Sequence, residues 1–379
     1  MGRVHTGPGA RESRWNDWAS GSHRAYVRPV TRRASTDRVR IVVVVAVGLA
    51  LVAAVWLRRD MVASAIDELR SMSAAVVVLL LALGVLERVT RADVMRRLLH
   101  PVGFGRALTI HDVGTSASKG LPLGGPLATG LRYSIARDAA IPAPTFWSAL
   151  VAYGVATTFV TWLFPFGVIV VDLTRRPATT TDLAMLAVCA VVVGGSLAFW
   201  AVVLGSDRVT AWIVGRLRWA SAIAARRIPA IGRHDLVAGF LAARASLREI
   251  ARRPVGLLLR TALAQAVGAV ILLVALRGLG VGAELGSIEF ARVFFVVTLL
   301  SSFVPVPGGV GVVEAGLTGA LVAAGVDAPT ALAGVLVYRL LTYVVPIVVG
   351  ATLYVVWRLD VRRRRPQVPA STAAVVSLS

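Results

Sequence analysis

The sequence predicts an all-α polytopic membrane protein, with about six transmembrane helices and two oppositely oriented re-entrant hairpins that form an inverted repeat. Three observations predict it. Of the 379 residues, 56% are hydrophobic and only 16% charged, and the mean hydropathy is +0.74. A soluble domain has roughly 45–50% apolar residues with Gly included and about 25% charged. The apolar residues arrive in runs long enough to cross lipid, and two further apolar stretches are broken by Gly and Pro at matching places. This composition excludes disorder, collagen and a disulfide-stapled secreted module as the whole chain, and Cys189 is the single cysteine.

Residues 1–40 are Gly-, Ser- and Arg-rich without apolar period and read as a disordered basic cytoplasmic tail. The first apolar run begins at Ile41 and leads into Trp56, Leu57 and two arginines, without the small-residue cleavage site of a signal peptide. It is therefore an uncleaved span. Runs at 41–57, 74–87, 146–171, 183–204, 255–276 and 331–357 supply six spans. A helix needs roughly 20 residues to cross about 30 Å of hydrocarbon, so the 74–87 run must borrow its flanks. The broken stretches, 107–135 and 290–326, are read as hairpins that dip into the membrane and return. If both arms of each hairpin crossed instead, the loop assignment would be unchanged. The membrane domain is then 41–358, with halves 41–176 and 177–358, followed by a basic cytoplasmic tail at 359–379.

The charge balance is 41 basic against 20 acidic residues, a formal +21, and the one lysine is Lys119. These charges lie between apolar runs, as the positive-inside rule requires of cytoplasmic loops, and so do not signal nucleic acid. The loop 205–254, the stretch with Arg88, Arg91, Arg96, Arg97 and Arg106, and the C-terminal arginines are assigned to the cytoplasm. Both termini follow, in a multi-pass plasma-membrane protein. Arg58, Arg59, Arg175 and Arg176 run against this assignment. Within the loop, Leu236, Phe240, Ala243, Leu247 and Ile250 share a helical face that Asp235 is placed to cap, and Arg244, Arg248 and Arg252 share another. Such a helix suits an anionic inner leaflet, although topology signalling explains its arginines equally well. Trp212 and Trp219 read as interfacial anchors.

The broken stretches resemble each other: SKGLPLGGPLATGLR at 118–132 and SSFVPVPGGVGVVEAGL at 301–317. Paired Gly/Pro-broken segments in an inverted repeat point to a substrate site at the membrane midplane. The candidate binding residues are Lys119, Pro122, Gly125 and Arg132 in the first half. In the second they are Pro305, Pro307, Gly308, Gly309, Gly311, Glu314, Arg339 and Tyr343. Glu314 and Arg339 lie in apolar segments, where a charge costs at least about 2.5–3.5 kcal/mol, so a mutual pair facing the interior is expected. Such a pair either locks the second hairpin to the last span, or lets Arg339 fork onto a lipid phosphate while Glu314 holds it or exchanges protons. Tyr343 follows Arg339 by one turn and shares its face. Pro346 deprives the Thr342 carbonyl of its helical donor. The glycines let backbone N–H groups approach an anion, beside a helix N-terminus near Val310. Lys119 and Arg132 either serve a headgroup or snorkel to the cytoplasmic surface. His5, His23, His100, His111 and His234 are scattered and read as surface or interface residues. No metal-ligand or catalytic spacing appears, and no cofactor or enzymatic chemistry is expected.

VPVPGGVGVVEAGLTGALVAAGV (304–326), followed by ALAGVLVYRLLTYVVPIVVGATLYVVWR (331–358), resembles the lysylphosphatidylglycerol synthase transmembrane-region family of flippase-like proteins. The pattern is carried by Pro305, Pro307, Gly308, Gly309, Gly311, Glu314, Arg339, Tyr343, Pro346 and Gly350, and more weakly by Gly114, Pro122, Gly125 and Arg132. The family usually has an acidic residue between that Gly and Arg; here the segment is Pro-Leu-Ala-Thr-Gly-Leu. In some relatives the membrane domain is fused to a soluble aminoacyl-transferase, which the residues after 358 are too few to form. The resemblance implies movement of a polar-headed phospholipid or lipid-linked precursor between leaflets. A non-transporting subunit that binds lipid and scaffolds a glycosyl- or aminoacyl-transferase partner stays open, as does an intramembrane lipid-modifying enzyme.

Overall fold

The fold follows from how each apolar run is started, extended or broken. In the computed structural model, residues 56, 59–121, 124–227, 236–282, 285–303 and 307–364 are described, all within one compact unit. The tail 1–40, nearly all of the first span 41–57, the last residues from 365, and Pro122, Asp235 and Pro305 lie outside them.

Helix α1 (Arg59–Ser71) leads into α2 (Ala74–Leu98), whose first turn is capped by the Ser73 hydroxyl accepting from Val76 N–H. The short apolar run at 74–87 borrows its C-terminal flank. Glu87–Arg91 (2.8 Å), Asp93–Arg96 (2.8 Å) and Asp93–Arg97 (3.0 Å) pair one turn apart and carry α2 to 25 residues. A helix–break–helix follows, α3 (Phe104–Gly120) and α4 (Gly124–Asp138). Three long helices come next: α5 (Ala143–Leu173), α6 (Thr180–Gly205, opened by a Thr179–Asp182 capping box) and α7 (Asp207–Arg227). Helices α8 (Leu236–Ala251) and α9 (Pro254–Gly278) lead to the second helix–break–helix. It comprises α10 (Ser287–Ser301), a 3₁₀ turn (Pro307–Gly309) and α11 (Val312–Ala323). The last long helix is continuous from α12 (Ala328–Arg339) through a π turn (Leu340–Val344) into α13 (Val345–Arg364).

Among the described residues, four helices are long and apolar enough to cross a membrane: Ala143–Leu173, Thr180–Gly205, Pro254–Gly278 and Ala328–Arg363. These match four of the six expected spans. The charged second half of α2 keeps it out of that class. The arms of the two broken elements are 17, 15, 15 and 12 residues long. At about 1.5 Å per residue, each falls short of about 30 Å of hydrocarbon.

The two halves interlock. Helix α13 packs on α3, and α9 on α2. Gly350 allows the first crossing: a Cβ there would collide with the Asp112 carbonyl oxygen of α3. Close backbone approach at small residues is how helices associate where lipid removes the hydrophobic drive. The second half has its own core, in which Leu272, Leu276, Phe290, Phe294, Leu317, Leu321 and Val335 are buried together. Helix α6 is the opposite case, with Leu183, Val188, Val191, Leu197, Phe199 and Val202 all exposed. On a helix this apolar, that face is a lipid face.

The helix expected within the basic loop is present as α8, but its arginines do not all face outward. Arg244 on α8 is buried and turns inward, its guanidinium donating to the carbonyls of Val203 (3.2 Å) and Leu204 (2.9 Å) at the end of α6. Arg248 donates to the Leu204 carbonyl as well, at 2.5 Å. These two arginines cap a helix C-terminus, where orphan carbonyls and the negative end of the dipole favour a cation. Arg244→Ala is therefore expected to cost about 1.5–3 kcal/mol of folded stability. Arg252→Ala, at an exposed residue paired with Glu249, should stay within about 0.5 kcal/mol. Thermal melting of the two variants checks the difference. Arg176 is likewise explained: it bonds Asp172 (2.7 Å) and Asp182 (2.8 Å), so its charge is neutralised within the protein and carries no weight in the loop count. Trp212 and Trp219 are both well exposed, in keeping with anchors.

Candidate functional site

The second-half motif forms a closed lock. Gly308, Gly309 and Gly311 have φ of 67°, 62° and 82°, a left-handed run that only glycine adopts without strain. The turn they make brings the Gly308 carbonyl to Arg339, whose Nη2 donates to it at 2.9 Å while Nε donates to Glu314 Oε1 at 2.8 Å. The other oxygen of Glu314 accepts from Gly311 N–H at 2.7 Å. The Arg339 guanidinium lies over the Tyr343 ring, 4.4 Å from its centroid. Tyr343 also presses on Gly308, where a Cβ would strike the ring. The expected pair and the shared face of Arg339 and Tyr343 are both present. The helix expected near Val310 starts at Val312, and the N–H of Gly311 before it is answered by Glu314 within the chain. Pro307 opens the 3₁₀ turn.

From this lock, two bonds reach the tip of the first hairpin. Pro346 has no N–H for the Thr342 carbonyl, and the Lys119 ammonium takes that place, donating to Thr342 O at 2.5 Å. Tyr343 Oη returns the contact by donating to the Lys119 carbonyl at 3.0 Å. The π turn lies over these residues, a common signature of functional positions in helices.

Beyond Lys119 opens a polar cavity of about 290 Å³, lined by Glu87, Arg88, Arg91, His111, Asp112, Thr115, Ser118, Lys119, Arg132, Tyr153 and Pro346. It is built from α2, α3, α4, α5 and the last long helix. Glu87 neutralises Arg91, and Asp112 pairs with Arg88. Asp112 also meets His111 Nδ1 at 2.9 Å. An ionised carboxylate only accepts, so it holds the proton on Nδ1 and leaves Nε2, 3.3 Å from Tyr153 Oη, to accept. Arg132 reaches the cavity because Gly114 makes room; a Cβ there would lie on top of its guanidinium.

Lys119 and Arg132 therefore line the interior rather than snorkelling to a surface, and His111 is buried, not a surface residue. Arg88 and Arg91, read from sequence as loop charges, belong to the cavity too. Gly125, at the start of α4, is exposed and does not line it. Sequence reasoning missed Glu87, Asp112 and Tyr153. The signals were a Glu–Arg pair four apart and a His–Asp pair inside an apolar hairpin.

Apolar long helices around a charged hollow, with exposed faces fit only for lipid, define a polytopic α-helical integral membrane protein. The chain belongs to the family of the lysylphosphatidylglycerol synthase TM region, whose model matches residues 41–350. Among curated proteins, none matches the chain.

Proposed function

We propose that this protein moves a polar-headed phospholipid or lipid-linked precursor between the leaflets of the plasma membrane, without covalent chemistry. The observation that carries this reading is the charged cavity of about 290 Å³, lined by α2, α3, α4 and α5 of the first half and by Pro346 of the second. Charge inside a membrane bundle is costly and marks a substrate path by default. In this reading the two helix–break–helix elements are re-entrant hairpins of opposite orientation, both termini are cytoplasmic, and the headgroup passes through the cavity while the acyl chains stay outside. An apolar hollow of about 370 Å³ on α5, lined by Ala152, Phe159, Leu197, Trp200 and Leu247 among others, suits an acyl chain.

The test is reconstitution in liposomes containing tail-labelled phospholipid, with a membrane-impermeant quencher of the outer leaflet. Protein-dependent loss of the protected inner-leaflet signal is expected. No movement of any phospholipid, together with co-purification of a transferase, would replace transport with a lipid-binding scaffold.

A further inference from the structure

We infer that the cavity binds a phosphate group, held by Lys119 and Arg132 as an uncompensated cationic pair; this rests on the reading of the cavity as the headgroup site. The charges lining it do not balance: four cations, Arg88, Arg91, Lys119 and Arg132, face two carboxylates, Glu87 and Asp112. Both carboxylates are already engaged, one with Arg91 and one with Arg88. Among the described residues neither Lys119 nor Arg132 forms an ion pair; Lys119 is bonded to a neutral carbonyl, and Arg132 Nε is buried with no hydrogen-bond partner. Arg88 Nη1 is buried and unpartnered as well. From Gly114 to Arg132 the sequence has no acidic residue that could supply the missing charge. Arg339 provides the contrast within the same molecule, since its carboxylate is 2.8 Å away.

Lone buried cations lower folded stability and persist where a ligand completes them. A guanidinium and an ammonium together suit a phosphate, the first as a planar donor and the second as a point charge. The Ser118 hydroxyl adds a donor to a further oxygen, whereas the Thr115 hydroxyl already donates to the His111 carbonyl (2.9 Å). Both carboxylates are engaged and cations are in excess, so a cationic headgroup lacking an accessible phosphate is disfavoured.

The experiment measures ligand binding to the purified full chain in detergent by native mass spectrometry and thermal shift. The probes are short-chain phosphatidic acid, inorganic phosphate and diacylglycerol. Phosphatidic acid should bind and raise the melting temperature, and diacylglycerol should not. Binding of inorganic phosphate alongside it assigns the site to the phosphate group itself; its failure assigns the site to the phosphate of a lipid. Arg132→Gln should weaken binding about ten- to hundredfold, while the unliganded protein melts no lower than wild type. Ser118→Asp, which supplies an internal counter-charge, should do the same. Equal binding of diacylglycerol and phosphatidic acid, or unchanged phosphatidic acid binding in both variants, would overturn the inference. So would a lower melting temperature for both variants, because a missing counter-charge predicts the reverse. Tight phosphate binding without lipid movement in liposomes would instead sink the transport reading and leave the site standing.

Discussion

Glu314→Gln and Arg339→Gln should each destabilise the protein by roughly 3–5 kcal/mol, and the double variant by much less than their sum. Each single change leaves a buried charge without its partner, in a segment where water cannot substitute. The side chains are only 14% and 7% exposed, so solvent screening gives little relief. Thermal melting in detergent reads the cycle, and simple additivity would mean that the two side chains act independently. Arg339→Lys separates charge from geometry. If Arg339 only balanced Glu314, Lys would replace it. In the structure the guanidinium reaches two separate acceptors, Glu314 and the Gly308 carbonyl, and covers the Tyr343 ring. An ammonium cannot reproduce that fork. A loss of about 1–3 kcal/mol is therefore expected from structure alone. Lost transport in that variant says nothing about a phosphate contact unless folded protein is matched.

Gly350→Val should disrupt the crossing of the two halves. Even the Cβ would collide with the Asp112 carbonyl oxygen and lie 2.5 Å from Ser116 Cβ. The obstacle is partly backbone, so α3 itself would have to move. That would strain the Ser116 hydroxyl's bond to the Ile347 carbonyl (2.8 Å) and shift Asp112, which pairs with Arg88 and His111. Overpacking of this kind costs about 1–3 kcal/mol and sometimes more. The control is Gly194→Ala in α6, where nothing lies within 4 Å of the new methyl. It should raise stability by up to about 1 kcal/mol through helix propensity. Equal melting temperatures for Gly350→Val and wild type would mean that α3 and α13 do not meet as described.

How far the sequence could be read depended on whether a signal was local. The runs at 146–171, 183–204, 255–276 and 331–357 each carry their own evidence, because length and apolarity decide a membrane helix. Glu314 and Arg339 were legible as a pair because a charge in an apolar segment demands a partner. The Pro346–Thr342 gap followed from proline's missing N–H, but nothing in the order of residues said that Lys119, more than two hundred positions earlier, would fill it. The cavity role of Arg88 and Arg91 was not legible for the same reason. On a loop an arginine marks a side of the membrane; on α2 beside Asp112 it lines a cavity. Only the packing of α2, α3 and α5 separates these roles. Arg244 shows the converse error, since an amphipathic pattern gives the face of a helix but not what that face meets.

The most direct test of the central claim is photocross-linking in membranes with two versions of one phospholipid. One carries the reactive group on its headgroup, the other at the end of an acyl chain. Headgroup adducts are expected on the residues of the polar cavity, in 111–119, Arg132 and Tyr153. Acyl-chain adducts should fall on outward apolar faces such as Val191 and Phe199 of α6. Headgroup adducts confined to outward faces, with none in the cavity, would contradict it.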